Sequence, residues 1–188
     1  MNLTMSEQRK KIHPHKFTMW IALGSIIMMF AGLTSAYIVK RNQGNWQEFR
    51  IPMEFYYSTA VILVSSLTIQ MALRAFKDRE MVKYRRLITI TALLGVVFMV
   101  MQWFGFGQLY QTGIRLDGNV SGSFLFVITG LHMVHVLGGV VALIVMFFKA
   151  FRRQKRTYSS VGIEVASTYW HFVDILWIYL FVFFLWIQ

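Results

Sequence analysis

At 188 residues, 56% of them hydrophobic and with two prolines, the chain is too apolar for a water-soluble domain, whose apolar share is nearer half, and it reads as a membrane protein. The formal net charge of +11 does not point to nucleic acid, because the basic residues lie between apolar runs instead of gathering on one folded face. Cysteine is absent, which excludes disulfides, thiolate metal sites and cysteine nucleophiles.

Residues 1–16 are polar and basic and read as a cytoplasmic tail, with His13-Pro14-His15 taken as part of that tail rather than as a metal site. The first apolar run, 17–39, has spanning length and no small-residue cleavage site after it, so it is expected to be a retained span and not a signal peptide. Gly24, Ser25, Gly32 and Ser35 let a neighbouring helix approach, and Trp20 and Tyr37 read as interface anchors. A polar loop leads to Pro52, suited to a first helical turn because its missing N–H would have no partner there. The second span, 53–73, is rich in hydroxyls and amides: Ser58, Thr59, Ser65, Ser66, Thr68 and Gln70, read as interhelical glue. A charge-dense connection, 74–86, precedes the third span, 87–110, which carries Thr89, Thr91, Gly95 and Gln102. Asp117-Gly118-Asn119 marks a turn, and the fourth span is 121–148. A basic stretch then leads to the fifth span, 165–187. The expected fold is all-α: a single membrane domain, 17–188, of five transmembrane helices.

Of the 19 Lys and Arg residues, only Lys40, Arg41, Arg50 and Arg115 fall in the first and third connections. The others lie in the N-terminal tail and the second and fourth connections. Cytoplasmic loops carry the basic excess, so the N-terminus is expected in the cytoplasm and the C-terminus outside.

The fifth span holds ionisable groups at depth. Translocon-type scales put an aspartate at a helix centre at about 2.5 to 3.5 kcal/mol, so such a residue is expected to face protein. At helical spacing Glu164, Ser167 or Thr168, His171 and Asp174 share one side, with Phe172, Leu176 and Tyr179 behind. His132 and His135 lie at similar depth in the fourth span, and sequential helices are usually neighbours. These five residues, His132, His135, Glu164, His171 and Asp174, are expected to form a buried polar network, with His171 and Asp174 pairing within one helix. Two sharper readings compete. One is haem ligation by His132 or His135 together with His171; the other is a proton relay or transporter site through His171, Asp174 and Glu164. Lys149 and Arg152, at the cytoplasmic end of the fourth span, are candidate lipid-phosphate contacts. No zincin, phosphate-loop or nucleophile-elbow motif occurs, so no residue is assigned a catalytic or metal-binding role.

Two stretches carry a family resemblance. Thr129-Gly130-Leu131-His132-Met133-Val134-His135-Val136-Leu137-Gly138 resembles the TG-F-HG-HV-G stretch of subunit III of the haem-copper terminal oxidases. Tyr169-Trp170-His171-Phe172-Val173-Asp174-Ile175-Leu176-Trp177, with Glu164 upstream, is similar to that family's YWHFVD-VW signature. Pro52, the hydroxyls that follow it and Gln102 fit the pattern too. The resemblance covers essentially all five spans.

The resemblance implies a short bacterial form of the subunit, lacking the first two helices of the seven-span form and sited in the inner (plasma) membrane. It implies no haem or metal in this chain, haem and copper in the partner catalytic subunit I, a further partner in subunit II, and bound phospholipid. The implied role is accessory: to stabilise the catalytic subunit and support proton uptake and oxygen access while the complex reduces oxygen to water and translocates protons. Ile26 stands where the long form has a membrane-embedded glutamate, an acid is missing near Gly105, and Ser159 and Ser160 replace a histidine pair. These departures favour packing and lipid holding over direct proton handling. A quinol oxidase, a complex beside nitric oxide reductases, or a free-standing proton-conducting transporter remain as alternative settings, since no donor-binding feature separates them.

Overall fold

The computed structural model describes residues 14–41, 51–111, 113, 120–151 and 161–187. Five helices account for nearly all of them: α1 Pro14–Arg41, α2 Met53–Lys77, α3 Met81–Gln111, α4 Val120–Phe151 and α5 Val161–Ile187. All five are long and apolar enough to cross a membrane, the shortest reaching about 37 Å at 1.5 Å per residue against about 30 Å of hydrocarbon. The N-terminal tail through His13, the Asp117-Gly118-Asn119 turn, Arg152, Ser159 and Ser160 lie outside the described residues.

The helices run past their apolar cores. The stretch read as a charged connection, 74–86, is mostly helix, because Lys, Arg and Glu are good helix formers and nothing in their charge stops the backbone ladder. The break is confined to residues 78–80. There Arg79 adopts φ 60°, and two reverse bonds close the end of α2: Glu80 N–H to Ala75 O at 2.9 Å and Arg79 N–H to Phe76 O at 3.2 Å. This is the Schellman arrangement, with arginine in the left-handed position that glycine usually fills. At the other end of α2, Pro52 sits just before the first helical residue, and its carbonyl accepts the Phe55 N–H at 3.2 Å.

Helices α2 and α3 form the most extensive pairing, as expected of a helical hairpin with so short a turn. Helix α5 packs on α1, α2 and α4, whereas α1 touches α4 and α5 only. Within the central window of α5 56% of residues are buried, against 22–28% in the other four, so the last helix is the hub of the bundle. Its inward face is aromatic and aliphatic, centred on Trp170, Val173, Trp177, Leu180 and Phe184. The polar side lies at the edge of that face, where α5 meets α2 and where α1 and α2 stand apart. Leu176, placed behind the polar side by helical spacing, is itself buried. The outer faces of the bundle are apolar: Trp103, Trp186 and Met28 are each more than 70% exposed.

Candidate functional site

The two signature stretches, on α4 and α5, come together around two tryptophans. Trp170 turns its indole into a notch between α3 and α4. A Cβ added to Gly95 would stand 2.6 Å from its ring, and one added to Gly139 would stand 2.9 Å away. Those two glycines are therefore required by close approach, not by backbone angle. The indole Nε1–H donates to Ser65 Oγ on α2 at 3.1 Å, so one side chain ties α5 to three neighbours. About two helical turns further on, Trp177 donates from Nε1 to Thr59 Oγ1 at 2.9 Å. Its ring stacks on Phe55 at 5.9 Å and meets the edge of Phe98 at 5.3 Å.

His132 lies against the same indole, stacked at 5.2 Å and 26°. Phe30 and Phe98 close on it edge-on at 6.5 and 6.3 Å. It is fully buried, and neither ring nitrogen has a hydrogen-bond partner among the described residues. His135, half-buried, points its Nδ1 at the Leu131 carbonyl at 2.7 Å; a carbonyl only accepts, so Nδ1 carries the proton. The His135 carbonyl in turn accepts the Tyr169 hydroxyl at 3.0 Å.

His171 is on a different seam. Its ring spans two α2 side chains one turn apart, with Nδ1 2.7 Å from Ser66 Oγ and Nε2 3.2 Å from Gln70 Oε1. The amide oxygen accepts, so Nε2 carries the proton; in the neutral ring Nδ1 then accepts from the Ser66 hydroxyl. Asp174 is 2% exposed, and neither carboxylate oxygen closes a hydrogen bond within the described residues. Glu164 stands at the start of α5, at the bundle's end, where Lys16 of α1 pairs with it at 2.6 Å and Lys77 of α2 approaches to 3.9 Å. Lys149 is exposed in the last turn of α4. In the hairpin, Arg85 of α3 lies over the Phe151 ring at 5.2 Å, a cation–π contact at that same end of α4.

The five ionisable residues thus occupy three places. His132 and His135 pack between α4, α5 and α1; His171 and Asp174 lie on the α2–α5 seam; Glu164 is in an ion-pair group at the helix ends. His171 bonds to α2 rather than to Asp174 or to the α4 histidines. The hydroxyl and amide groups of α2 supply these partners: Ser65 and Thr59 for the tryptophans, Ser66 and Gln70 for the histidine. Within α2 and α3 the same chemistry recurs, with Gln102 Nε2 donating to Ser58 Oγ at 2.8 Å and Thr68 bonded to Thr91 at 2.8 Å. Among the described residues no three His, Asp or Glu side chains converge as metal ligands do.

The family model for cytochrome c oxidase subunit III matches residues 44–188. The chain is 32% identical over 169 residues to cytochrome c oxidase subunit 3 of Corynebacterium diphtheriae, an alignment covering 86% of this chain and 82% of that protein. It is 34% identical over 166 residues to the probable cytochrome c oxidase subunit 3 of Nocardia farcinica, covering 86% and 82%. Against cytochrome c oxidase subunit 3 of a Bacillus species, strain PS3, identity is 28% over 167 residues, covering 86% and 80%.

Proposed function

The chain belongs to the cytochrome c oxidase subunit III family and is an accessory subunit of a haem-copper oxidase, and from that premise we propose that it flanks the catalytic subunit I, next to subunit II, and sustains it. The proposed site is the plasma membrane of a bacterium, with the N-terminus in the cytoplasm, an orientation that the basic excess of the second and fourth connections supports. In this reading the haem and copper belong to the catalytic subunit, and the residues of this chain supply packing, lipid contact and durability.

The observation that carries the reading is what the signature residues do. Trp170 and Trp177 lock α5 to α2, α3 and α4, and His132 is sealed among aromatic rings. Residues that a transporter or enzyme would turn toward a cavity are used here to hold helices at fixed distances. The rim of the bundle offers broad apolar faces, Trp103 and Trp186 among them, suited to acyl chains and to the flank of a larger membrane partner. Exposed Lys149 fits a phosphate at the membrane surface, and Arg152 follows three residues on.

The test is turnover durability. An oxidase lacking this chain should begin at close to its full rate of oxygen consumption per haem and lose activity several-fold sooner. An equal lifetime with and without the chain overturns the role.

A further inference from the structure

At the end of the bundle where α2 begins and α3 finishes, a groove of about 540 Å³ is lined by α3 and by the first turn of α2. Its lining changes character along α3: Met101, Trp103 and Phe104 are apolar, whereas Gln108 and Gln111, nearer the helix end, are polar and share the groove with Glu54 of α2. Met101 and Gln111 are about 15 Å apart at 1.5 Å per residue. Between the two halves stands Gly107, where an added Cβ would meet nothing within 4 Å, so the passage is clear. A floor that is apolar at depth and turns polar and acidic toward the helix end has the polarity of an amphiphile.

Glu54 gives the polar end its charge. Of the three described glutamates, Glu164 is paired with Lys16 and Lys77 and Glu80 with Lys83, whereas no lysine or arginine among the described residues pairs with Glu54. Gln108 Nε2–H donates to its Oε1 at 2.5 Å, and Oε2 is shut from water without a hydrogen-bond partner among the described residues. One neutral amide donor does not compensate a carboxylate in a half-covered place at the rim of a membrane. What is missing is a cation, and the groove is the open side from which one can come.

We propose that this groove binds an aminophospholipid, with the primary ammonium of an ethanolamine-type headgroup at Glu54 and an acyl chain along Phe104 and Met101. The inference rests on the lipid-holding part of the proposed function and adds a second headgroup chemistry to it, at the opposite end of the bundle from Lys149. Each part of such a headgroup has a counterpart in the groove. The carboxylate meets the charge. The amide oxygens of Gln108, whose nitrogen is already committed to Glu54, and of Gln111 are acceptors for ammonium N–H groups. Trp103, 80% exposed, offers an indole face to the cation. A choline headgroup carries the same charge but no N–H, and would leave the amide oxygens unused. A glycerol headgroup brings no cation at all, and its phosphate would meet Glu54 with like charge.

A phosphatidylethanolamine with a photoreactive diazirine in its acyl chain, added to the purified complex in detergent, tests the site at the groove itself. After illumination the label should map to residues 101–111 of α3. It should fall several-fold in Glu54→Gln, which keeps the shape of the side chain and removes its charge. Gly107→Leu, whose side chain would extend into clear space, should block the same labelling without disturbing the packing. In the wild-type complex unlabelled phosphatidylethanolamine should compete, and phosphatidylcholine, phosphatidylglycerol and free ethanolamine should each compete several-fold less well. The proposal is overturned if either variant labels like the wild type, or if any of those three competes as well as phosphatidylethanolamine. Should a variant fail to assemble, the competition series in the wild-type complex decides. Labelling is read without reference to oxidase lifetime, so failure of this site and failure of the accessory role are told apart.

Discussion

The indole of Trp170 fills the space beside Gly95: a Cβ at that glycine would lie 2.6 Å from Cη2 of the ring, with Val140 Cγ2 3.0 Å away. The indole cannot retreat, because it is also pressed on Gly139 and held by its bond to Ser65. Gly95→Ala should therefore destabilise the bundle by about 1–3 kcal/mol through overpacking, and Trp170→Ala by about 3–5 kcal/mol through the cavity it leaves. Cη2 belongs to the part of the indole that phenylalanine lacks, so Trp170→Phe should partly rescue Gly95→Ala. A double-mutant cycle on the thermal midpoint of the purified complex measures this coupling; strictly additive effects would show that the two residues do not meet.

His132 is a histidine in a site that asks for an aromatic ring and offers no polar partner among the described residues. Replacing it by phenylalanine keeps the stack on Trp177 and the shape of the pocket. His132→Phe should assemble normally, with a stability change within about 1.5 kcal/mol in either direction. Loss of assembly in His132→Phe would reveal a polar role for this ring.

Arg79 holds the left-handed position of the α2–α3 turn at φ 60°. A residue with a Cβ gives up about 1–2 kcal/mol there, and glycine returns part of that after its greater freedom in the unfolded chain is subtracted. Arg79→Gly should raise stability by up to about 1 kcal/mol, whereas Arg79→Ala, which retains the Cβ, should show no such gain. Thermal midpoints of the two variants, compared side by side, check it.

Lys16, Lys77 and Glu164 bind three helix ends together, yet their side chains remain 42%, 56% and 24% exposed. Pairs so open to solvent contribute about 0–1 kcal/mol and are screened by salt. Glu164→Gln should lower the thermal midpoint slightly at low ionic strength, and the difference should fade as salt is added. A deficit that persists in high salt would mean that Glu164 acts through something other than these two lysines.

The number of helices, their order and their all-α character were legible in the sequence because a spanning helix needs a long apolar run and little else. Their ends were less so. The charged stretch 74–86 looks like a loop by hydropathy, but hydropathy reports where lipid ends, not where the backbone ladder stops. Signals for the partners were weaker still. Placing His171 with His132 and His135 follows from sequence adjacency, whereas α5 shares its polar edge with α2, three helices earlier in the chain. The hydroxyl-rich run Ser58 to Gln70 was the available clue, since a helix so equipped must bond to something. The fit of Trp170 into Gly95, 75 residues away, leaves no local pattern that spacing could reveal.

Affinity purification of this chain from native membranes, followed by a reduced-minus-oxidised optical spectrum, addresses the assignment directly. A haem-bearing catalytic chain should come with it in equal amount and give the haem signal of a terminal oxidase. A stable preparation of this chain alone, with no haem absorbance, would contradict the account.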